Sequence, residues 1–183
     1  YIIHSQDHPE LVKAAEYIYE GRLGLAEPIC RDFLKKEPNN VSAIRMLADI
    51  ALQVGQYEDA ENLLVRCLEL TPDFYLARLN YATVLEKLNK HEQALNEIET
   101  MLKAQAKDPK VLSLKANILV QIGKFDDALG IYEFIIDNFP SHGAMLLSYG
   151  HTLKTVGRQE DAIEAYRAAI KAREQAGVAY WSL

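Results

Sequence analysis

Five histidines, two cysteines and a few adjacent carboxylates are the side chains in this sequence best suited to chemistry. A structural zinc centre needs about four His, Cys or acidic ligands on converging spacings. His4, His8, His91, His142 and His151 are scattered, and neither Cys-x-x-Cys nor His-Glu-x-x-His occurs. A nucleophilic thiol needs a polarising neighbourhood. Cys30 and Cys67 instead fall on apolar helix faces, where they read as small buried hydrophobes. Glu58-Asp59 and Asp126-Asp127 sit where helices begin, and acids there answer the positive end of the helix dipole. The phosphate-cradling patterns G-x-x-x-x-G-K-[ST] and G-x-G-x-x-G are both missing. No residue is therefore assigned a catalytic, cofactor-binding or metal-binding role, and the chain reads as a non-enzyme without a cofactor.

Charge and composition narrow the partners. The chain has 183 residues with a formal net charge of -6, from 20 Lys+Arg against 26 Asp+Glu. Neutralising phosphates needs a basic surplus, so nucleic acid and anionic membrane are both excluded as partners. No apolar run approaches the ~20 residues that span a bilayer, and no signal peptide is visible. Two cysteines are too few for a secreted disulfide framework, which places the chain in a reducing compartment, the cytoplasm. The sequence opens Tyr1-Ile2-Ile3 rather than with Met, so the natural N-terminus is expected upstream.

What remains is a repeat. Alanine recurs every 34 residues, at Ala26, Ala60, Ala94, Ala128 and Ala162. A small residue precedes each of them by one fixed interval: Ala14, Ala48, Ala82, Ala116 and Gly150. A turn-former lies between, at Gly21, Gly55, Asn89, Gly123 and Gly157, and Pro38, Pro72 and Pro140 follow. The units are 7–40, 41–74, 75–108, 109–142 and 143–176, with 177–183 beginning a sixth. Each half-unit carries apolar residues three and four apart, as in Leu47, Ile50, Ala51 and Val54. That spacing specifies an amphipathic helix. The turn residue ends the first helix in a left-handed conformation, and proline stops the second. No alternation of strand type occurs, so the expected class is all-α.

A 34-residue period with small residues and proline at these offsets resembles the tetratricopeptide repeat (TPR) over the full length. The resemblance implies a right-handed α-solenoid of antiparallel helical hairpins, a superhelix whose first helices line a concave groove. The departures are local. Ala106 and Glu174 replace proline, and Lys13 and Lys115 stand at core positions. Unit one, with Glu10 and Lys13 at apolar sites, matches least, so its first helix is expected to fray or lie differently.

The family's groove positions map onto Arg45, Met46, Asp49 and Gln53 in unit two and onto Leu79, Asn80, Thr83, Glu86 and Lys87 in unit three. Unit four offers Lys110, Ser113, Leu114, Asn117 and Gln121, and unit five Leu147, Ser148, His151 and Lys154. The site candidates among these are Arg45, Asp49, Asn80, Thr83, Lys87, Lys110, Asn117, Gln121, His151 and Lys154. Such a mixture of amides, hydroxyls and charges suits an extended peptide or a helix of a protein partner. Chaperone-cofactor members of the family clamp a peptide's C-terminal carboxylate. Arg45, Asn80 and Lys110 fit that clamp, but Asp49 and Leu114 replace its Asn and Arg, and Asp49 would repel a carboxylate.

Two stretches are more particular. Ser148-Tyr149-Gly150-His151, continuing through Leu153–Arg158 to Ala165-Tyr166-Arg167, and then Ala179-Tyr180-Trp181-Ser182-Leu183, are similar to the last repeats of bacterial proteins in which a TPR region precedes a sulfotransferase domain. This implies a parent that uses phosphoadenosine phosphosulfate (PAPS), with its catalytic residues after Leu183. The chain would then position an acceptor substrate or dimerise the enzyme. Tyr180, Trp181 and Leu183 are expected to be uncovered, so self-association through the C-terminal end is a further expectation.

Overall fold

The computed structural model describes residues 8–104, 107–139 and 143–181, with side chains in the last segment described from Met145 to Ala172. Ten helices and no strand occur among the described residues. They are α1 (Pro9–Tyr19), α2 (Leu23–Lys36), α3 (Val41–Gln53), α4 (Tyr57–Leu70), α5 (Tyr75–Lys87), α6 (His91–Ala104), α7 (Pro109–Gln121), α8 (Phe125–Asn138), α9 (Gly143–Thr155) and α10 (Gln159–Trp181). The class is all-α, a solenoid of antiparallel helical hairpins.

One turn chemistry recurs at the hairpins. After α3 the chain passes through Gly55 at φ 82, and the Gln56 amide donates back to the Ala51 carbonyl at 2.8 Å. That bond satisfies a carbonyl the helix end would leave unpaired. After α5 the same step is made by Asn89 at φ 57, with Lys90 donating to Leu85 at 2.8 Å. Asparagine tolerates the left-handed region better than other side chains, so the motif survives without glycine. Two helix starts are capped by side chains. The Asn40 carboxamide caps α3 by accepting from the Ala43 amide at 3.1 Å, and Asp108 caps α7 by accepting from Lys110 at 2.7 Å.

The chain divides into two compact units, Tyr1–Glu97 and Ile98–Leu183. In the first, α1 packs on α2 and α3, α3 on α4 and α5, and α4 on α5. In the second, α7 packs on α8 and α9, α8 on α9, and α9 on α10. The paired small residues make the close helix crossings: Ala14, Ala26, Ala48, Ala60, Ala82, Ala94, Ala116 and Ala128 all have no exposed surface. Gly150 takes this role in α9, because a Cβ there would lie 2.7 Å from the Tyr166 ring.

Two expectations change. Unit one forms a regular first helix rather than a frayed one, because Leu11, Ala14 and Ile18 still give a buried stripe. Lys13 points to solvent and lies 5.7 Å over the Tyr17 ring, so no charge enters the core. At the other end, residues 177–181 continue α10 rather than opening a new helix, and α10 reaches 23 residues. The expected association patch, the side chains of Tyr180, Trp181 and Leu183, lies outside the described residues, as do His4 and His142.

Candidate functional site

The candidates fall into two groups, one in each unit. In Tyr1–Glu97 they lie on α3 and α5, which pack side by side. Arg45 does not line an open surface: it is 4% exposed, with its guanidinium 5.8 Å over the Phe74 ring. Burial pulls its pKa below the ordinary value, against the opposing pull of the Cys67 and Cys30 thiols. Met46 is sealed in the core, so it cannot line a groove either. The helical repeat that puts positions 45 and 46 on the first-helix face also turns them toward neighbouring hairpins.

Asp49, Asn80, Thr83 and Lys87 remain nearer the surface. Asp49 is half-buried and accepts from Gln53 Nε2 at 3.3 Å, and burial raises its pKa more than that bond lowers it. Thr83 donates its hydroxyl to the Leu79 carbonyl at 2.9 Å. Lys87 pairs at 3.0 Å with the buried carboxylate of Glu86. Asn80 differs from all of these: its amide Nδ2 is enclosed yet has no protein partner. A sealed donor left unbonded costs about 1–3 kcal/mol, so such groups are rare unless something else uses them.

In Ile98–Leu183 the candidates lie on α7 and α9. Lys110, Gln121, His151 and Lys154 are exposed, while Ser113 and Leu114 are buried. Asn117 is committed internally, because its Oδ1 accepts from the Tyr132 hydroxyl at 2.7 Å. Tyr132 is buried, which pushes its phenol up to about 12. His151 Nδ1 lies 3.0 Å from the Tyr166 hydroxyl, and the two rings meet edge-on at 5.3 Å.

Elsewhere, Cys30 and Cys67 are buried free thiols, and burial pushes both up to about 11. Thiols held that far up carry little nucleophilic thiolate. Among the described residues no group of three or more His, Cys, Asp or Glu side chains converges as metal ligands, and no helix is long and apolar enough to cross a membrane.

Two family models, both described as tetratricopeptide repeat, match the chain. One covers residues 17–73 and 51–118, the other 113–179. Among curated proteins, the Vi polysaccharide export protein VexE of Salmonella typhi is 29% identical over 67% of this chain. The TPR repeat-containing protein YpiA of Bacillus subtilis is 22% identical over 86% of it. The chain spans 19% of VexE and 36% of YpiA. Among solved structures, MamA from Desulfovibrio magneticus RS-1 superposes with TM-score 0.75 at 15% identity, covering 91% of this chain and 94% of that one. YrrB, described as a TPR protein with an unusual peptide-binding site, superposes with TM-score 0.65 at 18% identity, covering 96% and 90%. At those identities the superpositions speak for the fold alone.

Proposed function

The chain belongs to the tetratricopeptide repeat family, and from that premise we propose that it is a non-catalytic scaffold binding a peptide or helix of a protein partner along its first helices. The observation that carries this reading is the enclosed, unpaired amide of Asn80. A backbone carbonyl of a bound segment would satisfy it, and backbone recognition suits an extended ligand. Asp49 and Thr83 stand on the same paired helices and would flank such a segment. The family relationship agrees with this reading, as does the peptide-binding site of YrrB. With both thiols free and buried, the setting we propose is cytoplasmic.

Selection of a random-peptide library on the immobilised chain tests the reading. Enriched peptides should bind Asn80→Ala about tenfold more weakly, the value of one hydrogen bond to a sealed group. Equal binding by the variant would move the ligand off this face.

A second reading, favoured by the resemblance over residues 140–183, makes the chain the leading region of a PAPS-dependent sulfotransferase. Packing already accounts for Gly150, His151 and Tyr166 within that stretch. The reading therefore rests on 179–183, and the coding sequence after Leu183 decides it: a following region without a phosphosulfate-binding loop ends it.

A further inference from the structure

Within Tyr1–Glu97 a cleft of about 670 Å³ opens between α2, α3 and α4. Its floor is Leu47, Ile50 and Ala51, all largely buried, and its rim includes Arg31, Gln56 and Asp59. The volume is of the order that accepts small ligands, roughly 300–1,000 Å³. Asn80 is not among the residues that line it.

The repeat shows how the chain treats the same place in other units. The counterparts of Leu47 include Tyr81 and Tyr149, and those of Ala51 are Tyr17, Leu85, Leu119 and Leu153. Ala51 is thus the smallest residue at its position, and Leu47 stands where two other units carry a tyrosine and two, through Lys13 and Lys115, a lysine. Tyr149 donates its hydroxyl to Glu133 at 2.9 Å and feels the charges of Arg158 and Asp161. Glu133, Arg158 and Asp161 are the repeat counterparts of Arg31, Gln56 and Asp59, the rim of the cleft. Tyr81 is likewise set among Glu61, Glu97 and Lys90. Where the chain supplies a phenol at this position, it lies half-buried beside acids and a cation.

The charges have changed along with the floor. Arg158 pairs with Asp161 at 2.7 Å, and Lys90 pairs with Glu61 at 2.6 Å. The cation of both pairs is replaced in the cleft by neutral Gln56, while their acids persist as Asp59 and Glu27, and Glu133, which accepts from Tyr149, is replaced by Arg31. Glu27 turns along its own helix to Arg31 at 2.8 Å. The rim therefore carries two acids against one base.

We propose that this cleft is a subsite for a tyrosine side chain of a partner peptide that carries a basic residue beside it. The ring covers Leu47, Ile50 and Ala51, the hydroxyl reaches the polar rim, and the cation faces Asp59. An aromatic ring is a large apolar anchor that keeps a polar tip at the wet edge. The neighbouring cation supplies the charge that position 56 lacks.

The probe is the peptide acetyl-Gly-Tyr-Lys-Gly-amide, titrated into the full chain and followed by backbone amide shifts in NMR. Saturable shifts at Leu47, Ala51 and Asp59 are expected, with a Tyr→Ser peptide binding at least tenfold more weakly. A Lys→Glu peptide should also be weaker, by a factor that shrinks as salt rises. Leu47→Tyr builds the chain's own solution into the cleft and should lower affinity for the probe at least tenfold without lowering Tm. Ala51→Leu is the second filling variant, read the same way. Absence of saturable binding up to roughly 5 mM overturns the proposal. So does undiminished binding by a filled variant that stays folded, or equal binding of the serine peptide. Because Asn80 does not line the cleft, an Asn80→Ala chain that still binds the probe separates failure of the proposed groove from failure of this subsite.

Discussion

The repeat register treats α3 and α5 as equivalent to α7 and α9, yet the two pairs present different chemistry. On the first pair Arg45 is sealed, Asp49 is desolvated and Asn80 holds an unanswered donor. On the second pair Lys110, Gln121, His151 and Lys154 stand in solvent, and the amide oxygen of Asn117 is already bound to Tyr132. Desolvated polar groups interact strongly with a ligand because water competes little for them. Solvated ones add little to affinity. Sequence position marks both sets equally as candidates, and only burial and bonding separate them. On the proposed reading, the face in Tyr1–Glu97 is where binding energy would be concentrated.

The largest contrast should appear on truncation of one cation from each face. Arg45→Ala removes a buried stem and its guanidinium from the Phe74 ring, and should lower stability by about 2–3 kcal/mol in urea unfolding. Lys154→Ala, at an exposed site, should stay within about 0.5 kcal/mol. Arg45→Met should fall well short of the alanine effect, since a buried charge is often replaced by an apolar chain at little loss. Equal responses of Arg45→Ala and Lys154→Ala would erase the distinction between the faces.

The two asparagines give a smaller contrast of opposite sign. Asn80→Leu removes an unbonded donor and should stabilise the free chain by about 1 kcal/mol while weakening peptide binding. Asn117→Leu removes an acceptor from the buried Tyr132 hydroxyl and should destabilise by about 1 kcal/mol. Thermal unfolding of both variants checks the pair. A shift of the same sign in both would mean that Asn80 serves the fold and not a ligand.

Much of this architecture was legible because it depends on spacing. The 34-residue register places Ala60 and Ala128 at close helix crossings, and small residues are what such crossings require. The expectation that the first helix of unit one frays treats Lys13 as a core substitution, whereas the stripe of Leu11, Ala14 and Ile18 needs nothing from position 13. The site was less legible. Register assigns a residue to a helix face but not the depth at which a neighbouring hairpin covers that face, so Arg45 and Lys154 read alike. Gly150, His151 and Tyr166 read as a family motif, and the structure gives them a mechanical reason, since the Tyr166 ring rests where a Cβ on residue 150 would stand. The cleft floor was visible in principle. Ala51 is the one alanine among Tyr17, Leu85, Leu119 and Leu153, a missing side chain that only comparison between units exposes.

The smallest effect concerns Asp49. Burial raises its folded pKa above the ordinary carboxylate value of about 3.9. Between that value and the raised one, the folded chain holds more protons than the unfolded chain. Stability must then fall as pH rises through the window, the reverse of a salt-bridged carboxylate. Below the window both states are protonated and the carboxylate contributes no difference. Above it the desolvated charge persists as a constant penalty. Asp49→Asn keeps an oxygen that can accept from Gln53 and removes the ionisation. Its urea midpoint should match wild type at the acid end and exceed it at neutral pH, with the gap opening from about pH 4 upward. On the solvated face, Lys154→Gln should show no such divergence over the same range. A pH-independent offset for Asp49→Asn would show that the carboxylate is as well solvated as the polar groups on α9, and the contrast between the two faces would then rest on Asn80 and Arg45 alone.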